Sequence, residues 1–504
     1  MVAASAALVA FDMPVGSVAQ AAPFESGSSG SFGGDSTTTP PTTIPPVDSG
    51  NTIVSLTFDD SNADTLAAGR VLTSKGLAGT YFVITGFVGA PGYLTLADLR
   101  SLSADGHEIA GHTVGHADLA ALPAAEVTRQ VCNDRVNLSN WGLPAANFAY
   151  PFASMNLAAQ SIVADCGYNS ARRLGDLKTR FGCENCDYAE STPPRNRLST
   201  RAPAQVDNTW TLEDLQNTVT NAENTGGGWV QLTFHNICAD NCSPLAVTPA
   251  LFEQFATWLA ARSDTTEVKT VGQVIGGSTT PAHPGAAVPA PAPGVNGLQN
   301  PSLETTGAQG LPDCWSAGGY GTNSRAVVPV TPGRTGTTAQ KLTMSAHVDG
   351  DGKLIPTLDL GNCAPSVTPG HTYSLRAWYT ANTNTQFAVY LRDEVGAWSY
   401  WTSSPWFEPA DSYTEAEWTT PQIPDGFTGI SFGLSLFSDG ELITDDYSLY
   451  DTIGAPPIGI TAPQSRSEKP QTTTTSGPPT EITLFVPGPG QTQPGQPFAP
   501  IAGE

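Results

Sequence analysis

The sequence predicts an α/β domain on a mostly parallel sheet or barrel, followed by an all-β sandwich. Three observations carry that reading. From Thr52 to about Val274, apolar runs of strand length alternate with amphipathic runs of helix length, the pattern of a parallel sheet or barrel. From Val295 to about Ile453 the runs alternate apolar and polar and are broken by Gly, Asp and Asn, as in antiparallel sandwich strands. A Pro/Ala-rich stretch, Gly276 to Gly294, divides the two.

The elements follow in order. "TIVSLTF" from Thr52 reads as a buried strand, and "NADTLAAGRVLTSKG" has helical spacing that stops on Gly76. "AGTYFVI" is the next strand. "TLADLRSLSADG" is a helix with Thr95 at its N-cap and Gly106 just past its end. "HEIAGH" is extended, "PAAEVTRQVCNDRVNLSNWG" helical and "ANFAYPF" extended again. In the second block "HTYSLRAWYTA", "QFAVYLRDE" and "GISFGLSLF" are antiparallel strands.

The flanks and the composition place the chain outside the cell. Residues 1–21 carry an apolar run and the "AQA" of a signal-peptidase site. The positive segment that opens a signal peptide is missing, so the true start is expected upstream. Residues 22–50 read as a disordered Gly/Ser then Thr/Pro linker, and 454–504 as a disordered tail. The block boundaries are therefore 51–275, 276–294 and 295–453. The eight cysteines fall partly in short pairs, Cys183/Cys186 and Cys238/Cys242, which suits disulfides in an oxidising compartment. A zinc site from those two pairs is the alternative. Cys314 and Cys363 are the cysteines of the second block and are expected to pair. A net charge of −24 argues against nucleic acid and other polyanions as partners and is compatible with neutral polysaccharide. Apart from the N-terminal run, no apolar stretch approaches the roughly 18 residues of a membrane span.

The chemistry sits at predicted strand ends, where α/β folds gather functional residues. "LTFDD" ends a hydrophobic run on two adjacent carboxylates, Asp59 and Asp60. They repel unless a cation lies beside them. One reading is a strand end with an Asp capping the next helix; the other is a metal ligand next to a catalytic base. "HTVGH" places His112 and His116 four apart, on one face of a helical turn. Two imidazoles and one carboxylate suit Zn²⁺ or a similar divalent ion.

Taken in order, "LTFDD", "GTYFVI", "GHEIAGHTVGH", "NFAYPF", "CGYNSA" and "VQLTFHNI" resemble the polysaccharide deacetylases, the NodB-type domain of carbohydrate esterase family four. The match runs from Ile53 to about Val274. It implies a deformed (β/α) barrel of fewer than eight strands and a metal-activated water, with Zn²⁺ as the ion and Co²⁺ as a substitute. By resemblance Asp60, His112 and His116 are the ligands, Asp59 the base, His235 the acid, and the backbone N–H of Phe152 an oxyanion donor. Several positions depart from the family. Ser61 stands where a Gly is common. Ala149 stands where an Arg usually braces the catalytic Asp, leaving Arg172, Arg197 and Arg201 as unranked replacements. Thr233 replaces a Leu, and Asp207 with Trp210 only faintly echoes the fourth motif. His107 reads as a packed strand residue, Asp64 and Asp118 as cap or turn residues, and Trp141, Trp210, Trp229 and Trp258 mostly as core.

The second block holds six of the ten tryptophans. Trp398, Trp401 and Trp406, in "GAWSYWTSSPWF", are candidates for stacking on sugar rings. "NGLQNPSLET" and "LITDDYSLYD" resemble the galactose-binding-like jelly-roll modules, in which Asp445 and Asp446 would be calcium candidates. The implied function is a secreted deacetylase of an N-acetylhexosamine polymer such as chitin or peptidoglycan. The alternatives are an O-acetyl (xylan) esterase with the same site, and a catalytically degenerate glycan-binding protein.

Overall fold

A computed structural model describes residues 51–239, 242–307, 310–457 and 483–484. The expected signal peptide, the first linker and most of the expected tail lie outside the described residues.

In the first block β1 (Thr52–Phe58), α1 (Thr65–Ser74), β2 (Gly79–Val83), α2 (Leu96–Ala104), β3 (Glu108–Gly111) and α3 (Ala124–Asn140) follow the predicted order. Then come β4 (Asn147–Ala149), α4 (Leu157–Asp165), β5 (Ser170–Arg172), α5 (Leu212–Asn224) and β6 (Gly228–Phe234). The short β7 (Asn236–Ile237) and β8 (Ala246–Val247) precede α6 (Pro249–Ala260), β9 (Thr266–Val268) and α7 (Val271–Ile275). The capping prediction for α2 holds: Thr95 accepts from Asp98 N, and the Asp98 carboxylate accepts from Thr95 N.

The parallel sheet runs β5-β4-β3-β2-β1-β6. β6 pairs the full length of β1 on one edge. On the other edge β2 takes Leu56 to Phe58 and β9 takes Thr52 to Val54. The seam between β5 and β6 is bridged by irregular chain. Thr200 N donates to Ala171 O, Val206 N to Thr233 O, and Glu190 exchanges both backbone bonds with Trp229. The result is a curled sheet of the deformed-barrel kind.

Alternation along the strands explains what faces inward. Val54, Leu56 and Phe58 of β1, and Val230, Leu232 and Phe234 of β6, pack in the main core with Leu72, Leu215 and Phe252 of the helices. The intervening residues form a polar interior. Trp229 Nε1 donates to Ser55 Oγ, Thr57 and Thr233 share a hydroxyl bond, and Gln231 Nε2 donates to Thr200 Oγ1. Glu108 accepts from Thr80 and Asn147.

The second block is built from ten antiparallel strands: β10 (Trp315–Tyr320), β11 (Ser324–Val330), β12 (Ala339–Ser345), β13 (Asp351–Pro356), β14 (Tyr373–Ala381), β15 (Gln386–Asp393), β16 (Trp398–Ser403), β17 (Ala410–Thr419), β18 (Phe427–Leu436) and β19 (Gly440–Asp451). They form two sheets, β10-β13-β18-β15-β16 and β11-β12-β19-β14-β17, over a shared core that includes Leu375, Phe387, Phe432 and Leu449. A two-residue strand, β20 (Thr483–Leu484), adds to the first sheet beside β16.

The cysteines pair as Cys132–Cys166, Cys183–Cys186, Cys238–Cys242 and Cys314–Cys363. That pairing removes the zinc alternative, because thiolate ligands are consumed. The stretch 276–294 is not a free spacer. Arg135 Nη2 donates to Thr280 O and Gly285 N to Asn133 Oδ1, so it runs along α3. Both blocks lie in one compact unit.

Candidate active site

The inward alternation of β1 continues past its end. Ser55, Thr57 and Asp59 share a face, so the first carboxylate of "LTFDD" turns into the barrel. β5 brings Arg172 to it: Arg172 Nη2 reaches Asp59 Oδ2 at 2.5 Å and Oδ1 at 2.7 Å. Both side chains are buried, and the guanidinium lies over the Phe82 ring at 5.1 Å. Arg172 is the register partner of Ala149 on β4. The guanidinium missing at Ala149 is thus supplied from the adjacent strand. Arg197 instead donates to Ile275 O, and Arg201 pairs with Glu190 and Asp187.

Asp60 turns the other way, at φ 71°. Its Oδ1 lies 3.1 Å from His116 Nε2 and 3.4 Å from His112 Nε2. One ligand-type atom from each of the three residues falls within 4.8 Å of the others. His112 Nδ1 is 2.8 Å from Ala149 O. A carbonyl only accepts, so Nδ1 carries a proton, and in the neutral imidazole Nε2 is then the nitrogen able to ligate an ion. Asp60 Oδ1 is buried yet makes no well-oriented hydrogen bond. Two imidazole nitrogens converging with a carboxylate oxygen fit a divalent ion such as Zn²⁺ or Co²⁺. Burial raises the Asp60 carboxyl, but the imidazoles of His116, His112 and His235 outweigh it and hold the group well below the usual range.

The helical turn expected for "HTVGH" is absent. The loop leaves β3 extended, with His112 N bonded to Val83 O, and then passes through φ 69° at Thr113 and 54° at His116. Among the described residues, six of the twelve non-glycine residues with positive φ sit at this rim: Asp60, Ser61, Thr113, His116, Phe152 and Ala153. Each costs on the order of 1 kcal/mol. Ser61 adopts φ 61° and is tied down by its hydroxyl, which accepts from Ile84 N.

His235 follows β6, with Nε2 4.0 Å from Asp60 Oδ2, and its buried Nδ1 makes no hydrogen bond. Asp207 does not orient it; that carboxylate accepts from Thr209 N and Oγ1, and Trp210 stacks on Phe181. Phe152, in the turn after β4, sets its ring edge-on to His116 at 4.5 Å. Tyr93 went unnoticed in the sequence. Burial, then the Asp60 charge, pushes its phenol up to about 12, so it stays a donor beside the site. A bridge with Asn62 and the bond from Leu94 N to Ser61 O tie its loop to the rim.

His107 Nδ1 accepts from Gly79 N, and burial lowers its basicity. Asp64 occupies the N-cap position of α1, but its carboxylate binds Asn236 Nδ2 and Ile237 N. It clusters with Cys238 and Cys242, whose sulfurs are spent in their disulfide. Asp118 accepts from Ala120 N in a turn.

One expectation for the second block needs correction. Trp398 is only 6% exposed and donates from Nε1 to Asp359 O, so it offers no face to a sugar. Trp401 is half-buried against the core, whereas Trp406 is 51% exposed. Asp445 accepts from Arg334 N, Thr335 N and Asp446 N, and Asp446 pairs with the Arg334 guanidinium. Both carboxylates are thus engaged by protein donors.

Residues 47–171 match the family described as polysaccharide deacetylase. Over 116 residues the chain is 34% identical to a chitin deacetylase from a Pestalotiopsis species, covering 23% of this chain and 39% of the relative. The chain thus spans well under half the length of that curated relative. Solved structures with a likeness include a peptidoglycan deacetylase from Bacillus subtilis, 16% identical at TM-score 0.27, over 45% of this chain and 92% of that one. A family 4 acetyl xylan esterase from Clostridium thermocellum, in complex with a cobalt ion, is 18% identical at TM-score 0.31 over 44% and 89%.

Proposed function

We propose that the first domain is a secreted, metal-dependent de-N-acetylase of an N-acetylhexosamine polymer of the chitin or peptidoglycan type. The observation that carries the reading is the convergence of Asp60, His112 and His116 beside the buried Asp59–Arg172 pair. The identity to a chitin deacetylase supports the N-acetyl class. Four disulfides suit an oxidising compartment, and no helix among the described residues is long and apolar enough to cross a membrane.

Asp60, His112 and His116 would hold the ion. A divalent ion bound there would supply an acidified water and a Lewis acid for an acetyl carbonyl. Asp59 takes the proton of the attacking water. Arg172 fixes both oxygens of that carboxylate and offsets its charge, so the base does not swing towards Asp60. His235, on the Asp60 Oδ2 side, gives a proton to the departing amine. The Phe152 backbone N–H is the proposed donor to the oxyanion. In the sandwich, read as a galactose-binding-like jelly roll, Trp406 with Trp401 is the proposed sugar contact.

The test is acetate release by the full chain, loaded with Zn²⁺ or Co²⁺, from chitin oligomers, peptidoglycan and acetylated xylan. N-acetyl substrates should be turned over, and His112→Ala should lose both metal and activity. Release from xylan alone would move the reading to an O-acetyl esterase. Polymer binding with no acetate from any substrate would establish the degenerate, glycan-binding alternative.

A further inference from the structure

Helix α3 buries polar side chains that a surface helix leaves in water: Glu126, Arg129, Gln130, Asp134, Arg135 and Asn137. Part of that polar face is covered by two loops of the sandwich, and both loops lead to the histidine loop. In the first, Leu360 N donates to Glu126 Oε1 at 2.8 Å. The same oxygen accepts from Gln130 Nε2 at 3.0 Å, and Gln130 Oε1 accepts from Gly115 N at 2.9 Å. Val114 N donates to Gln130 O. A chain of three hydrogen bonds thus runs from the sandwich to the backbone between His112 and His116. Arg129 neutralises the hub from the other side, 2.8 Å from Glu126 Oε2.

The second loop is the β15–β16 hairpin. Val395 O accepts from Asn137 Nδ2 at 2.8 Å. Next to it Gly396, at φ 93°, lies so close to the histidine loop that a Cβ would come within 2.6 Å of Val114 Cγ1. Val114 is completely buried. Trp398 and Arg392 both donate to Asp359 O and brace the first loop against the hairpin.

We propose that the sandwich is a buttress of the metal centre, with Glu126 and Gly396 as positioning residues that hold the His112–His116 loop in its ligating shape. The loop has two positive-φ residues and no helix to hold it, so its shape has to be imposed from outside. This inference rests on the reading of Asp60, His112 and His116 as metal ligands.

The test is Co²⁺ binding by the full chain, read as a dissociation constant and as the visible d–d spectrum. Glu126→Ala and Gly396→Ala should weaken binding by about 10- to 100-fold, as removal of groups that orient metal ligands does, and should shift the bands. Glu126→Gln keeps the Oε1 acceptor and should retain most of the affinity. Val348→Ser, on an exposed part of the sandwich, should match wild type. Should Glu126→Ala not fold, Asn137→Ala removes a single bond across the interface and is read the same way. Folded interface variants with wild-type affinity and spectrum would overturn the buttress. A wild-type chain that binds no Co²⁺ would overturn the metal centre itself, a distinguishable result.

Discussion

Replacing Arg172 with Ala tests the centre of the site most directly. The guanidinium holds both oxygens of Asp59, at 2.5 and 2.7 Å, and the two side chains are 1% and 3% exposed. Its removal leaves a buried carboxylate without a cation, which costs about 3–5 kcal/mol when a buried pair is broken from one side. At roughly 2–4 °C per kcal/mol for a domain of about 150–250 residues, the melting temperature should fall by about 6–20 °C. Losing a positioned base should lower kcat by about 100- to 10,000-fold. The assay is acetate release from a chitin oligomer below the new melting point, with bound metal measured on the same sample. The exchange Ala149→Arg with Arg172→Ala adds a second arm. The two positions are register partners on parallel strands about 4.8 Å apart, so the exchange returns a guanidinium to Asp59 and should recover part of kcat. A single variant with full turnover per bound metal would refute the bracing argument, whatever its stability.

Three further outcomes are expected. Zn²⁺ at a hundredfold over its Kd should stabilise the full chain by about 2.7 kcal/mol, and His116→Ala should abolish the gain; equal stabilisation in both would place the ion elsewhere. Burial pushes Asp134 up to about 7, against the Tyr168 hydroxyl that donates to it at 2.8 Å. The folded chain therefore keeps a proton that the unfolded chain releases near pH 4. The stability this proton provides is full below that pH and is lost as pH rises towards 7, at most on the order of 4 kcal/mol. Asp134→Asn should flatten the dependence of urea midpoints on pH between those limits, and an unchanged slope would exclude Asp134 as its source. Trp406→Ala should weaken retention on insoluble glycan at unchanged thermal stability. Trp398→Ala should instead lower stability by about 3–5 kcal/mol, as loss of a buried Trp does; the reverse pattern would restore Trp398 as the sugar contact.

Much of the site was legible because it is local. Asp59 and Asp60 are adjacent, His112 and His116 belong to one loop, and each follows a strand whose alternation is written in the chain. Arg172 could be named only as one of three candidates. What selects it is the β4–β5 register, which sets it beside Ala149, and no short-range pattern encodes a register between strands. The helical turn at "HTVGH" failed for a related reason. Spacing of four fits a helix, but the loop is pulled out of helical geometry by bonds from Thr85 and Gly86 to its carbonyls. Tryptophan count misled in the sandwich, since composition does not distinguish a ring on the surface from one wedged under Asp359.

By itself the sequence determined the two fold classes, the strands and helices around the site, and the chemical types able to hold an ion and move a proton there. Those follow from periodicity and from neighbours a few residues apart. Only the tertiary structure decided which arginine meets Asp59, that the polar face of α3 is covered and not solvated, and that the sandwich bears on the histidine loop. Each of these is a contact between residues distant in the chain, set by how whole elements pack and by the need of buried polar groups for partners.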